Sequence, residues 1–282
     1  SADVTLVAAW LTTSAGGAVT HLAVGSNPIG DKAMIPLLDT LKDIPLISFD
    51  ISDTKCGVST ASKLAELLTD ETKFRGAVAR LKLSGNFPCG RISRDNDGQA
   101  PWLPGKDFSA WIPLCESFEK SQALTEIDVS ECYLGPEALP PLAKAIKFMG
   151  ALTSMDCLNN PLGEGVHTVI KVFEETPRLR TLCGLEEGVE QVDWSKSNKG
   201  PADVALLAAE LKAGRAANSV SSVTLRSTGN FGKTYTLTTG ETTIVLSETN
   251  LGSADVGMLT SWLQRREVGS TIESFDFTGC EI

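Results

Sequence analysis

The chain has 282 residues, 42% apolar and 21% charged, enough to bury a sizeable core in one elongated domain or two compact ones. A net charge of −10 and a pI near 4.8 argue against a nucleic-acid or anionic-membrane surface, which needs clustered Lys and Arg. No run of about 18 apolar residues is present, so no membrane-spanning helix is expected.

Seven cysteines, an odd number without paired spacing, are unlike a disulfide framework. Cys89 and Cys115 flank a long insertion and form the one pair worth considering for a bridge. No N-x-S/T acceptor occurs, which together with the unpaired cysteines points toward a reducing, cytoplasmic setting. The chain starts Ser-Ala-Asp-Val, with no charged-then-apolar leader, so no signal peptide is expected in it.

In chain order, Val4, Val7, Ala8 and Leu11 form one stripe of a first helix, with Trp10 beside it. VTHLAVGSNPIG follows, then LISFDISDTKCG with a helix around residues 61–68. VARLKLSGNFPCG leads into an Asp-, Asn-, Gly- and Pro-rich surface excursion, about residues 90–107. LTEIDVSECYLGPEALPPLAKAIK comes next, a short strand, a tight turn and a returning helix, and LTSMDCLNNPLG repeats its first half. These segments start at residues 19, 46, 78, 124, 152 and 179, a period in the high twenties broken once by the excursion. No segment can bury its apolar side alone, so each needs neighbours of its own kind.

The later segments are altered. Leu179, Leu182 and Cys183 start a strand, yet Val189, Val192 and Trp194 offer a second one. After Val220, Val223 and Leu225, the alternating TYTLT between glycines predicts a β-hairpin excursion, about residues 227–241. The final strand holds Ile272, Phe275 and Phe277. Ser1-Ala2-Asp3-Val4 recurs as Ser253-Ala254-Asp255-Val256, and Trp10-Leu11 as Trp262-Leu263. The two ends thus read as complementary halves of one unit, without the polar caps solenoids normally carry.

The pattern L-x-x-L-x-L-x-x-C/N-x-L-G, carried by Leu124, Ile127, Val129, Cys132, Leu134 and Gly135 and with Asn at Asn27, Asn86 and Asn160, resembles the leucine-rich repeat family. The strand-plus-helix length is similar to its ribonuclease-inhibitor-like class, here as a stretch of a longer tandem array. The resemblance implies an α/β solenoid, or horseshoe, over residues 1–282, with parallel strands on the concave face and helices on the convex face. It also implies a non-enzymatic protein–protein interaction scaffold without a cofactor. A structural subunit joined head to tail through Val4, Trp10, Phe275 and Phe277 is the alternative.

In that architecture the strand residues between the apolar ones line the concave face. One column reads Ala23, Asp50, Lys82, Asp128, Asp156, Cys183, Thr224 and Asp276. Beside it run His21, Ser48, Arg80, Glu126, Ser154, Thr181, Ser222 and Ser274. A partner protein is expected on His21, Asp50, Arg80, Lys82, Glu126, Asp128, Asp156 and Asp276. Trp102, Phe108 and Trp111, around the excursion, either pin the loop to its own repeat or form a second hot spot. His21, Ser48 and Asp50 have the residue types of a hydrolytic triad, but no nucleophile elbow or oxyanion hole accompanies them. His167 reads as an ordinary surface residue. No C-x-x-C, H-E-x-x-H or complete calcium loop occurs, so no metal is expected.

Overall fold

The five strands that share one parallel sheet are each three residues long and turn only the central side chain toward the core. Phe49, Leu81, Ile127 and Met155 are fully buried, and the residues on either side of them are half exposed on the other face. A computed structural model describes residues 2–92, 103–230 and 232–280. It is an α/β protein that divides into two compact units, Ser1–Leu179 and Arg180–Ile282.

The first unit runs α1 (Ala2–Leu11), β1 (His21–Ala23), α2 (Asp31–Thr40), β2 (Ser48–Asp50), α3 (Val58–Thr69) and α4 (Lys73–Ala77). It continues with β3 (Arg80–Lys82), the short pair β4 (Arg91–Ile92) and β5 (Leu103–Pro104), then α5 (Trp111–Lys120), β6 (Glu126–Asp128), α6 (Leu139–Phe148), β7 (Ser154–Asp156) and α7 (Val166–Glu175). β1, β2, β3, β6 and β7 form one parallel sheet in chain order, and β4 pairs antiparallel with β5 at the base of the excursion. α1 packs on α2, α2 on α3, α3 on α5, α5 on α6 and α6 on α7.

The turn after each strand has a fixed plan. The residue three beyond the strand end takes a left-handed backbone: Ser26, Asp53, Gly85, Glu131 and Asn159, with φ between 49° and 70°. Only one of the five is glycine, so the other four hold a conformation that costs an L-residue roughly 1–2 kcal/mol. Buried asparagines tie the turns together. Asn86 Oδ1 accepts from the Cys56 amide at 2.9 Å, and its Nδ2 donates to Ile51 O at 2.6 Å and to Leu83 O at 3.0 Å. Asn160 Oδ1 accepts from the Cys132 and Leu134 amides at 2.9 and 3.0 Å, and its Nδ2 donates to Val129 O and Cys157 O. Each asparagine satisfies backbone groups of its own turn and the preceding one. Asp31 works similarly for helices: its Oδ1 accepts from Gly57 N, Thr60 N and Thr60 Oγ1, supplying α3 with the cap that Gly57 lacks.

The second unit runs β8 (Gln191–Asp193), α8 (Pro201–Ala213), β9 (Ser222–Arg226), β10 (Thr234–Thr238), β11 (Thr243–Val245), α9 (Ser253–Leu263), α10 (Arg266–Gly269) and β12 (Ser274–Asp276). β8 and β9 are parallel, β10 folds back antiparallel on β9 with Thr236 opposite Thr224, and β11 pairs parallel with β12. The hairpin expected from TYTLT is therefore present. It takes the edge of β9 where a parallel neighbour would stand, which divides the strands of this unit between two sheets. The strand expected at 179–183 is reduced to bridge positions at Thr181 and Cys183, and the strand proper is Gln191–Asp193. The reason is the buried Glu210 carboxylate. Its Oε1 accepts from Thr181 Oγ1 at 2.8 Å, from the Cys183 amide at 2.6 Å and from the Leu182 amide, occupying donors a strand ladder would use.

Candidate interaction surface

Register in the first sheet brings the two sequence columns together as neighbouring rows. His21, Ser48, Arg80, Glu126 and Ser154 are consecutive partners, as are Ala23, Asp50, Lys82, Asp128 and Asp156. Adjacent strands lie about 4.8 Å apart, so this is one mostly polar face on which the basic Arg80 and Lys82 stand next to Asp50, Glu126 and Asp128.

The acids on this face also hold the turns. Asp50 Oδ1 accepts from Ser52 N and Ser52 Oγ at 2.9 and 2.6 Å. Asp128 Oδ1 accepts likewise from Ser130 at 3.0 and 2.7 Å, and Asp156 Oδ1 from Leu158 N at 2.9 Å. An Asp followed two residues later by an amide donor makes an Asx turn, which ends the strand. Each carboxylate is thus oriented by its own chain. In the second unit Asp193 and Asp276 do the same with Ser195 N and Thr278 N at 2.9 and 2.8 Å. The Ser195 and Thr278 hydroxyls and amides hold the carboxyls of these two below the usual aspartate range. Asp193 was not singled out from the sequence, although Asp193-Trp194-Ser195 repeats the Asp-x-Ser of Asp50 and Asp128.

β3 supplies the basic interruption. Neither Arg80 nor Lys82 makes an ion pair among the described residues, despite standing between acidic rows. Arg80 Nη2 instead reaches across the small Ser48 to His21 Nε2 at 3.2 Å, and His21 Nδ1 lies 2.9 Å from Thr20 Oγ1. A guanidinium only donates, so Nε2 accepts and the proton of a neutral ring sits on Nδ1, toward Thr20. Both ring nitrogens are engaged by Arg80 and Thr20, and among the described residues His21 makes no hydrogen bond to Ser48 or Asp50, so the three do not form a triad. His167 lies on α7, 3.6 Å from Glu164.

The aromatic cluster of the excursion needs correction. Trp111 is fully buried, its indole N–H donating to Ala138 O at 2.8 Å, so it is core and unavailable to a partner. Phe108 is half-buried, and Trp102 lies outside the described residues. Thr181 and Cys183, placed on the open face by the sequence columns, are buried as well. Cys89 and Cys115 are free thiols, so the bridge considered between them is not made.

The residues expected at the ends fall into a simple pattern. Val4 is half-buried, while Trp10, Phe275 and Phe277 are exposed by 49%, 44% and 37%. The two phenylalanine rings stack, 5.8 Å between centroids and 8° between planes.

Internal space is small. A cavity of ≈ 20 Å³ between Ile51, Cys56, Thr60, Leu64, Asn86 and Leu114 has room for about one water. An open groove of ≈ 410 Å³ crosses α2 and α3, where Lys63 is already paired with Asp39 at 2.8 Å and Glu66 at 3.1 Å. Among the described residues no three His, Cys, Asp or Glu side chains gather as metal ligands, and no helix is long and apolar enough to cross a membrane.

No family model and no curated protein matches the sequence. Among solved structures, a chain described as Leiomodin-1 Actin-Binding Site 2 (ABS2) matches at 10% identity and a TM-score of 0.33, over 64% of this chain and 75% of that one. A likeness of that size carries no argument about what this protein binds.

Proposed function

We propose that residues 1–282 form one leucine-rich repeat solenoid that acts as a non-enzymatic protein-interaction scaffold. The partner docks on the face lined by His21, Arg80, Glu126, Asp50, Lys82, Asp128 and Asp156. The observation that carries this reading is the basic strand β3, which makes no ion pair among the described residues although it stands between oriented carboxylates. A surface that leaves Arg80 and Lys82 without ion pairs keeps their charge for a partner, and such patterns set partner choice and register. The Asx turns support the same reading, since a carboxylate already oriented loses less freedom on binding.

A photo-crosslinker introduced at position 48, in the centre of the face, tests it. A protein captured there and lost on joint Arg80→Glu and Lys82→Glu replacement supports the scaffold. Capture indifferent to both replacements overturns this choice of face.

A further inference from the structure

Lys82 stands between two aspartates and pairs with neither. It is in register with Asp50 on β2 and with Asp128 on β6, one strand spacing of about 4.8 Å to each side. Among the described residues no carboxylate comes within ion-pair distance of its ammonium. The cause is the turn chemistry. Asp50 Oδ1 is drawn along its own chain to the Ser52 amide and hydroxyl, and Asp128 Oδ1 to those of Ser130. Arg80, the other cation of β3, is in register with Glu126, yet its Nη2 is turned the other way, to His21 on β1. The face therefore presents charge in a fixed order across the strands: acidic at β2, basic at β3, acidic at β6.

That order selects its occupant. A polyanion meets Asp50 on one side of β3 and Glu126 and Asp128 on the other, and a purely basic segment meets Arg80 and Lys82. The complementary segment carries one carboxylate between two basic residues, in steps of about 4.8 Å, or about 9.6 Å from base to base. An α-helix lying across the strands supplies this spacing. Its residues i, i+3 or i+4, and i+7 share one side and rise roughly 4.5–6 Å and 10.5 Å along the axis. An extended segment does not: its same-side residues are about 6.6 Å apart, so the third overshoots β6 by roughly 3–4 Å.

We infer that the partner of this face is an α-helix laid across β2, β3 and β6. A basic residue at i sits over Asp50, a Glu or Asp at i+3 or i+4 over Lys82 and Arg80, and a basic residue at i+7 over Glu126 and Asp128. This inference rests on the scaffold reading above and adds the chemistry of the partner.

A display library on a stable single-helix scaffold tests it, with Lys, Glu and Ala allowed at i, i+3, i+4 and i+7, selected on the full chain at low ionic strength. A matched library on an extended scaffold, with the same residues at alternate positions, runs beside it. The expected result is enrichment of Lys at i and i+7 with Glu between them, about tenfold or more over the inverse order, in the helical library alone. Selection on Lys82→Glu should weaken the preference for the central Glu, and selection on Glu126→Lys the preference for Lys at i+7. Neither side chain makes a hydrogen bond or ion pair that holds the fold among the described residues. No charge order, an order that both variants leave unchanged, or a stronger order in the extended library overturns the helix. If the capture at position 48 still depends on Arg80 and Lys82 in that case, the scaffold reading stands without it. If that capture is indifferent as well, both fall.

Discussion

The Tyr235 hydroxyl donates to Asp255 Oδ1 at 2.9 Å, joining the inserted strand β10 to helix α9. Asp255 is fully buried, and its other oxygen accepts from Thr228 N and Thr228 Oγ1 at 2.7 Å and from Gly252 N at 2.8 Å. One carboxylate thus caps α9, closes the turn after β9 and anchors the hairpin. Burial, and the Asp255 charge beside it, push the Tyr235 phenol above its ordinary range and keep it a donor. Tyr235→Phe leaves Asp255 Oδ1 buried without that donor. The expected loss is about 1–3 kcal/mol of stability, read by urea unfolding. A change within experimental error would show that the bond is not made.

Asn86 and Asn27 hold corresponding places in their units but not the same environment. Asn86 is 4% exposed and bridges two successive turns, whereas Asn27 is exposed and bonds only Val24 O and Gly25 O of its own turn. Asn86→Ala strands the Cys56 amide in the core, while Thr54 Oγ1 still donates to the Ile51 carbonyl at 2.8 Å, and is expected to cost about 2–3 kcal/mol. Asn27→Ala returns its groups to water and should cost about 0.5 kcal/mol. Equal losses in the two variants, measured by thermal unfolding, would contradict the bridging role.

Glu210 makes stability depend on pH. Burial raises its pKa above the ordinary 4.5, while Thr181 and the Leu182 and Cys183 amides oppose the shift. Its Oε2 is buried without a hydrogen-bond partner among the described residues. Because the folded-state pKa is the higher one, the native protein binds the extra proton. The associated stability is complete below pH 4.5 and is lost as pH rises through the folded-state value. Glu210→Gln keeps an acceptor for the three donors without the ionisation. Its stability relative to the parent should therefore grow with pH from 4.5 upward and then level off. A difference constant with pH, followed by chemical denaturation in a pH series, would rule this out.

The thiols separate into two classes. Burial raises Cys56, brings Cys89 to about 12 and also holds Cys115 and Cys132 well above the ordinary thiol range. Cys280 is only partly buried, and the Thr249 hydroxyl beside it lowers its pKa. A thiolate-directed alkylating reagent on the native protein near neutral pH should label Cys280 first and leave the six buried thiols unlabelled until unfolding. Mass mapping checks this. Early labelling of Cys89 or Cys115 would mean the base of the excursion opens.

Much of the first sheet is legible in the amino-acid order. Strand side chains alternate with a period of two, so once the repeats are aligned, the neighbours of Asp50 or Arg80 follow from counting. The rows His21–Ser48–Arg80–Glu126–Ser154 and Ala23–Asp50–Lys82–Asp128–Asp156 are read this way, as are the turn asparagines and the Tyr235 hairpin. The same counting misleads at Thr181 and Cys183, because it carries no information about Glu210, 27 residues further on, which captures their donors. Nor does it show that Trp111 turns into the core, that Arg80 crosses Ser48 to His21, or that Asp255 collects hydrogen bonds from three segments. Local propensity and periodicity depend on residues a few positions apart and determine which face a side chain can occupy. Whether a polar group on that face meets water, a turn of its own chain or a distant carboxylate depends on which segments come together, and only the tertiary structure decides that.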